Sequence, residues 1–149
     1  MVSDSGAPPL TVAELIRELV ADDPGRRYVA AHHLANLERG SLAPAIGPLL
    51  ATLESDPSAM TRNAAAWALF KANPLASSFL PQLLLLLKSD QADVRGWASS
   101  ILARSAPGDP RVRPLLEVMA STDLDSETRW RAREALHDLG VTPVSDEGS

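Results

Sequence analysis

Residues Thr61–Ala72 read Thr-Arg-Asn-Ala-Ala-Ala-Trp-Ala-Leu-Phe-Lys-Ala, and their register decides the fold because it returns along the chain. An arginine is followed three residues later by alanine and seven residues later by leucine. The series is Arg27/Ala30/Leu34, Arg62/Ala65/Leu69, Arg95/Ala98/Leu102 and Arg129/Ala132/Leu136, with 35, 33 and 34 residues between successive arginines. A period of this length marks one supersecondary unit repeated four times.

Working outward, each register stretch is preceded by a second apolar, helix-period segment. Thr11 and Glu14 form a capping box ahead of Val12, Leu15, Ile16 and Leu19. Asp23-Pro24 predicts an N-cap with proline at the first helical position, opening a helix that runs to about Arg39 and stops at Gly40. Ser41 or Leu42 opens the next helix, which Pro48 should bend. Asp56-Pro57 copies Asp23-Pro24, and Asn73-Pro74 ends the helix that contains Trp67. A third first-helix starts near Ser78 and is apolar on all sides (Leu80, Leu83, Leu84, Leu87), which suits burial between neighbours. After a turn at Ser89-Asp90, Ala92–Arg104 is helical. Asp109-Pro110 opens the fourth unit, Asp125 or Ser126 starts the last helix, and Gly140 closes it. Strand-like alternation is missing throughout. The expected architecture is all-α: a right-handed α-solenoid of four helical hairpins, about eight helices. The units fall at about 11–40, 41–75, 76–107 and 108–140. A flexible lead (1–10) precedes this single repeat domain (11–140) and an acidic tail (141–149) follows it. The polar tails predict a complete chain with capped ends.

Composition narrows the function. The chain has 149 residues, no cysteine and a formal net charge of −5. Disulfides, thiolate metal sites and cysteine nucleophiles are excluded. A general nucleic-acid binder carries a basic balance, which is lacking here, so no nucleic-acid partner is expected. Residues Met1–Pro9 lack the basic and apolar regions of a signal peptide, and Leu83–Leu87 is too short to span a bilayer. A cytoplasmic protein without a membrane partner is expected. The preference for arginine over lysine suits a GC-rich bacterial genome.

An Asp-rich turn, a small or β-branched residue, Arg, two spacers, Ala, three spacers and Leu resembles the HEAT repeat, and is most similar to the short bacterial version first noted in phycobilisome lyases. The residues that carry the resemblance are Asp56…Thr61-Arg62…Ala65…Leu69, Asp90…Val94-Arg95…Ala98…Leu102 and Asp125…Thr128-Arg129…Ala132…Leu136, across roughly residues 11–140. The first unit departs from the pattern, with Arg26 in the β-branched place. The resemblance implies a binding surface rather than a particular activity. Elementary physics accounts for the same residues. Alanine lets paired helices approach closely, and leucine fills the layer between pairs. Each arginine should meet an acid of a nearby turn, as in Arg95 with Asp90 or Asp93, because partly buried charges are normally paired.

The resemblance also places the second helices on the concave side. Positions one, five and eight after each arginine point away from the Ala/Leu seam. They read Tyr28/His32/Ala35, Asn63/Trp67/Phe70, Gly96/Ser100/Ala103 and Trp130/Glu134/His137. In a chain with only 4% aromatic residues, Tyr28, Trp67, Phe70 and Trp130 thus concentrate on a face expected to meet solvent. Exposed aromatic patches mark binding sites. The expected function is a non-enzymatic interaction or adaptor module that binds a protein or peptide. Tyr28, Trp67 and Phe70 would be its anchors, with His32, Asn63 and Lys71 orienting the ligand and Trp130 at the far end. Acidic rim residues would steer a basic partner. The competing readings are plain packing of the rings between repeats, a tetrapyrrole-like or other small-molecule site (or lyase-like activity) in the same groove, and homo-oligomerisation, with a monomer favoured. Trp97 should wedge between the third and fourth units. No catalytic motif, cofactor fingerprint or metal-ligand spacing is present. His32 and His33 diverge by about 100° on a helix, and His137 lies three units away. Catalytic residues, metal ligands and cofactors are all expected to be none.

Overall fold

The computed structural model describes residues 8–73 and 75–140. Among the described residues there are eight α-helices and no strand: α1 (Val12–Glu18), α2 (Pro24–Ala35), α3 (Ile46–Ser55), α4 (Ala59–Ala72), α5 (Leu80–Leu86), α6 (Ala92–Ser105), α7 (Val112–Thr122) and α8 (Ser126–Asp138). They form four helical hairpins stacked as an α-solenoid. The proposed lead and tail fall largely in residues 1–7 and 141–149, outside the described residues.

Several helix boundaries follow sequence logic. The Thr11–Glu14 box closes both ways, at 2.8 and 3.1 Å, Asp23 caps α2, Asp125 caps α8, and Gly140 takes a positive φ after it. Others shift for local reasons. Helix α2 ends at Ala35, not near Arg39, because the Asn36 side chain turns back to donate to the His32 carbonyl (2.9 Å). Gly40 sits inside a 3₁₀ stretch, Arg39–Ala45, that leads into α3. Helix α4 starts one residue after a Ser58 cap rather than from Asp56. Asp56 is occupied elsewhere, and Asp109 likewise holds the Arg111 amide in a turn ahead of α7. Pro48 and Pro114 each occupy the third residue of their helix. An amide there lacks an intrahelical partner anyway, so Pro48 needs no bend. Helix α5 is not covered on all sides: Leu83, Leu86 and Leu87 are buried, but Leu85 is exposed.

The seam is built as the register demands. Ala30, Ala65, Ala98 and Ala132 are buried, as are Leu34, Leu69 and Leu102, and each of these leucines contributes about 1.5–3 kcal/mol by leaving water; Leu136, in the last helix, is only partly buried. Four positions after the first three arginines, Ala31, Ala66 and Ser99 are also buried, and these small side chains let second helices approach one another; the fourth place is the exposed Arg133, on the last helix of the stack. Second helices pack directly on one another along the stack: α2 on α4, α4 on α6, α6 on α8. First helices touch one another far less. The second helices are therefore the tighter, inner layer. Arg26 breaks the β-branched pattern because it lies in the first inner helix, which has no earlier one to pack on; it is exposed and pairs with Glu18.

The arginines form a ladder with a fixed construction. Each donates one Nη1–H to the backbone six residues earlier: Arg27 to Ala21 (2.8 Å), Arg62 to Asp56 (2.9 Å), Arg95 to Ser89 (2.9 Å), Arg129 to Asp123 (2.6 Å). This satisfies carbonyls where the hairpin turns. The guanidinium then reaches forward to the next unit. Arg27 meets Asp56 at 2.8 Å, Arg62 meets Asp93 at 3.1 Å, and Arg95 meets Asp123 at 2.8 Å. The partner of Arg95 is thus Asp123, not Asp90 or Asp93; Asp93 serves Arg62 instead. The pairs join successive hairpins rather than closing one.

Candidate functional site

The inner layer carries a groove between α2 and α4 of about 380 Å³, open to solvent. Its lining residues are Tyr28, His32, Ala35, Asn36, Met60, Asn63, Ala64 and Trp67. Helical spacing explains the set. Tyr28 and His32 are four residues apart on α2, and their rings stack at 5.9 Å. Asn63 and Trp67 have the same spacing on α4. The floor is made of alanines, which leaves room above it.

Beyond the groove the aromatic surface continues. Trp67 and Phe70 stack at 5.5 Å, and Trp97 from α6 meets both edge-on at 6.4 Å. Offset and edge contacts of this kind suit the ring quadrupoles. Trp97 donates its indole N–H to Asn63 Oδ1 at 3.0 Å. The α4–α6 seam has fewer close backbone approaches than the α2–α4 or α6–α8 seam, and these three rings fill it. Two guanidiniums cover the cluster: Arg104 lies 4.1 Å above Phe70, and Arg131 lies 4.7 Å above Trp97. Lys71 donates to the Ala35 carbonyl, linking α4 to α2 at 2.5 Å.

The expected site residues therefore separate. Tyr28, His32, Asn63 and Trp67 share the groove, with Phe70 and Lys71 adjoining it. Trp67 remains 47% exposed in spite of its ring contacts. Phe70 is half-buried beneath Arg104, so packing is part of its role. Trp130 is also exposed, but it lies on α8 outside the groove and makes no ring contact among the described residues. Trp97 does not wedge solely between the third and fourth units; its ring contacts reach back to α4, while Arg131 approaches from the fourth. Sequence reasoning overlooked Met60, Asn36, Arg104 and Arg131. A column reading would have found most of them. Positions two and nine after each arginine read Val29/Asn36, Ala64/Lys71, Trp97/Arg104 and Arg131/Asp138, which puts small, aromatic and cationic groups side by side across the stack.

With this geometry in hand, a family model described as HEAT repeats matches residues 46–137, more than half of the chain. The chain belongs to the HEAT-repeat family. No curated protein matches it. Among solved structures, the crystal structure of an engineered protein, a target of the Northeast Structural Genomics Consortium, is similar with a TM-score of 0.62 at 24% identity. The match covers 86% of this chain and 62% of that one. That likeness bears on the fold alone. The HEAT units matched include α3 to α8, and hence the Trp67–Phe70–Trp97 cluster. No helix among the described residues is long and apolar enough to cross a membrane.

Proposed function

We propose that this HEAT-repeat protein is a non-enzymatic adaptor, monomeric and cytoplasmic, that docks a protein segment along its concave inner face. Tyr28, His32, Asn63, Trp67, Phe70 and Lys71 form the contact surface, and Trp130 offers a second, distant contact. The observation that carries the reading is Trp67: a large ring, 47% exposed, beside a groove whose alanine floor leaves space for another molecule's side chain. Tryptophan and tyrosine placed in this way are the common anchors of interfaces. The groove is open to solvent, which favours a peptide segment over a small molecule that must bury most of its surface. On the turn-Asp, Arg, Ala and Leu spacing, the unit belongs with the short bacterial repeats of phycobilisome-lyase type, unaccompanied by residues specific for a bilin.

The test is Trp67→Ala. Partner capture from the native host should fall at least about tenfold, as expected for loss of a central aromatic anchor. The thermal midpoint should fall by several degrees with the transition still cooperative, because the residue is half in water while its other half packs on Phe70 and Trp97. Undiminished capture, or a collapsed melt, would rule against an anchoring role.

A further inference from the structure

The charge around the aromatic cluster runs against that of the chain. Acids outnumber Lys and Arg by 19 to 14, and acidic rim residues alone would suggest a basic partner. The inner face says otherwise. Arg27, Arg62 and Arg95 are each tied to a carboxylate of the next hairpin. Lys71 and Arg104 each lie nine residues after a ladder arginine and flank Phe70. Neither has a carboxylate within 4 Å among the described residues. Arg104, an exposed residue, sets its guanidinium carbon 4.1 Å from the centre of the Phe70 ring. Its N–H donors have no hydrogen-bond partner among the described residues. Lys71 gives one N–H to Ala35 and keeps two. Arg131, stacked on Trp97, meets only the exposed Glu127, at 3.5 Å. None of the residues lining the groove is acidic.

We propose that the segment docked on this face is an acidic peptide, whose Asp or Glu side chains pair with the Arg104 guanidinium and the Lys71 ammonium while a neighbouring apolar side chain lies on Trp67. This rests on the docking reading above. A guanidinium already packed against an aromatic ring has given up part of its side-chain freedom, so less is lost when it pairs with a carboxylate. A nucleic acid would also bring anions, but it needs a long track of cations to release counterions. Here Glu127 and Glu134 interrupt the cations on α8, and the whole chain is acidic.

A random dodecapeptide phage library selected on the full chain tests this, followed by anisotropy titrations of the strongest peptide, labelled with fluorescein. Selected peptides should be enriched in Asp and Glu next to aliphatic or aromatic residues. Affinity should fall about threefold in Arg104→Gln and about tenfold in Arg104→Glu, with a further loss in Lys71→Gln. Arg104 is exposed, so its two variants should keep the wild-type melt. A pool that needs Trp67 but is rich in Lys and Arg, or is indifferent to Arg104→Glu, overturns the acidic assignment and leaves the docking face standing. A pool indifferent to Trp67→Ala overturns both. Tighter, Trp67-dependent binding of an oligothymidylate than of any selected peptide would replace the peptide with nucleic acid.

Discussion

Thr61 shows how far a single side chain can depart from its local optimum. It occupies the position before the ladder arginine, where Arg26, Thr61, Val94 and Thr128 correspond. Thr128 uses its hydroxyl well, donating to the Ala92 carbonyl at 3.0 Å. Val94 has no hydroxyl and is fully buried. Thr61 Oγ1 is buried with no hydrogen-bond partner among the described residues. Stranding a hydroxyl costs about 1–3 kcal/mol, whereas an isosteric methyl costs nothing in hydrogen bonds. Thr61→Val should therefore be neutral or raise stability by about 1 kcal/mol in urea unfolding, and a loss of more than about 1 kcal/mol would show that Oγ1 has a partner. The ladder arginine beside it was legible because charge at a fixed register invites an acid. The choice of acid was not, since Asp93 lies two residues before Arg95 in sequence yet serves Arg62.

Among the elements, α6 is shaped by a close approach to α8. A Cβ at Gly96 would sit 2.7 Å from Arg131 Cδ, nearer than atoms tolerate. Arg131 is in turn held over Trp97, so the glycine makes room for the stem of the cation that covers the cluster. Gly96→Leu would force the Arg131 side chain off its seat over Trp97. It should destabilise the chain by about 1–3 kcal/mol through overpacking, more than offsetting its gain in helix propensity. Thermal unfolding and tryptophan emission would report both the loss and the disturbance of Trp97; an unchanged melt would mean that the Arg131 side chain swings aside freely. Periodicity and caps located all eight helices. Boundaries slipped where one side chain had two possible employers: Asn36 took a carbonyl and ended α2 early, and Asp56 went to Arg27 and left the capping of α4 to Ser58.

At the scale of the molecule, hairpins are coupled by the inner layer and by the ladder, which makes the third and fourth units sensitive to acid. The hydrogen bonds from Arg95 hold the Asp123 carboxyl below its usual range, aided by the Asp125 amide and opposed by burial. The folded carboxyl thus releases its proton more readily than the unfolded one. The stabilisation is complete above the unfolded value, near 4, and is lost as pH falls through the lower folded value. Asp123→Asn should be less stable at neutral pH and show a shallower loss of stability between about pH 4 and pH 2. Parallel acid profiles for variant and wild type would refute the coupling. The repeat, its helices and its buried seam could be read from one chain because they depend on short-range spacing: three and seven residues along a helix, and about 34 between units. The aromatic face was partly readable for the same reason, as helical geometry alone puts Tyr28 beside His32 and Asn63 beside Trp67. Which arginine meets which aspartate, which rings touch, and which cations go unpaired depended on how one hairpin is seated on the next. That seating is set by the volumes of side chains some 30 residues apart, small at Ala31, Ala66 and Ser99 and large at Trp67 and Trp97, and no local pattern encodes the sum.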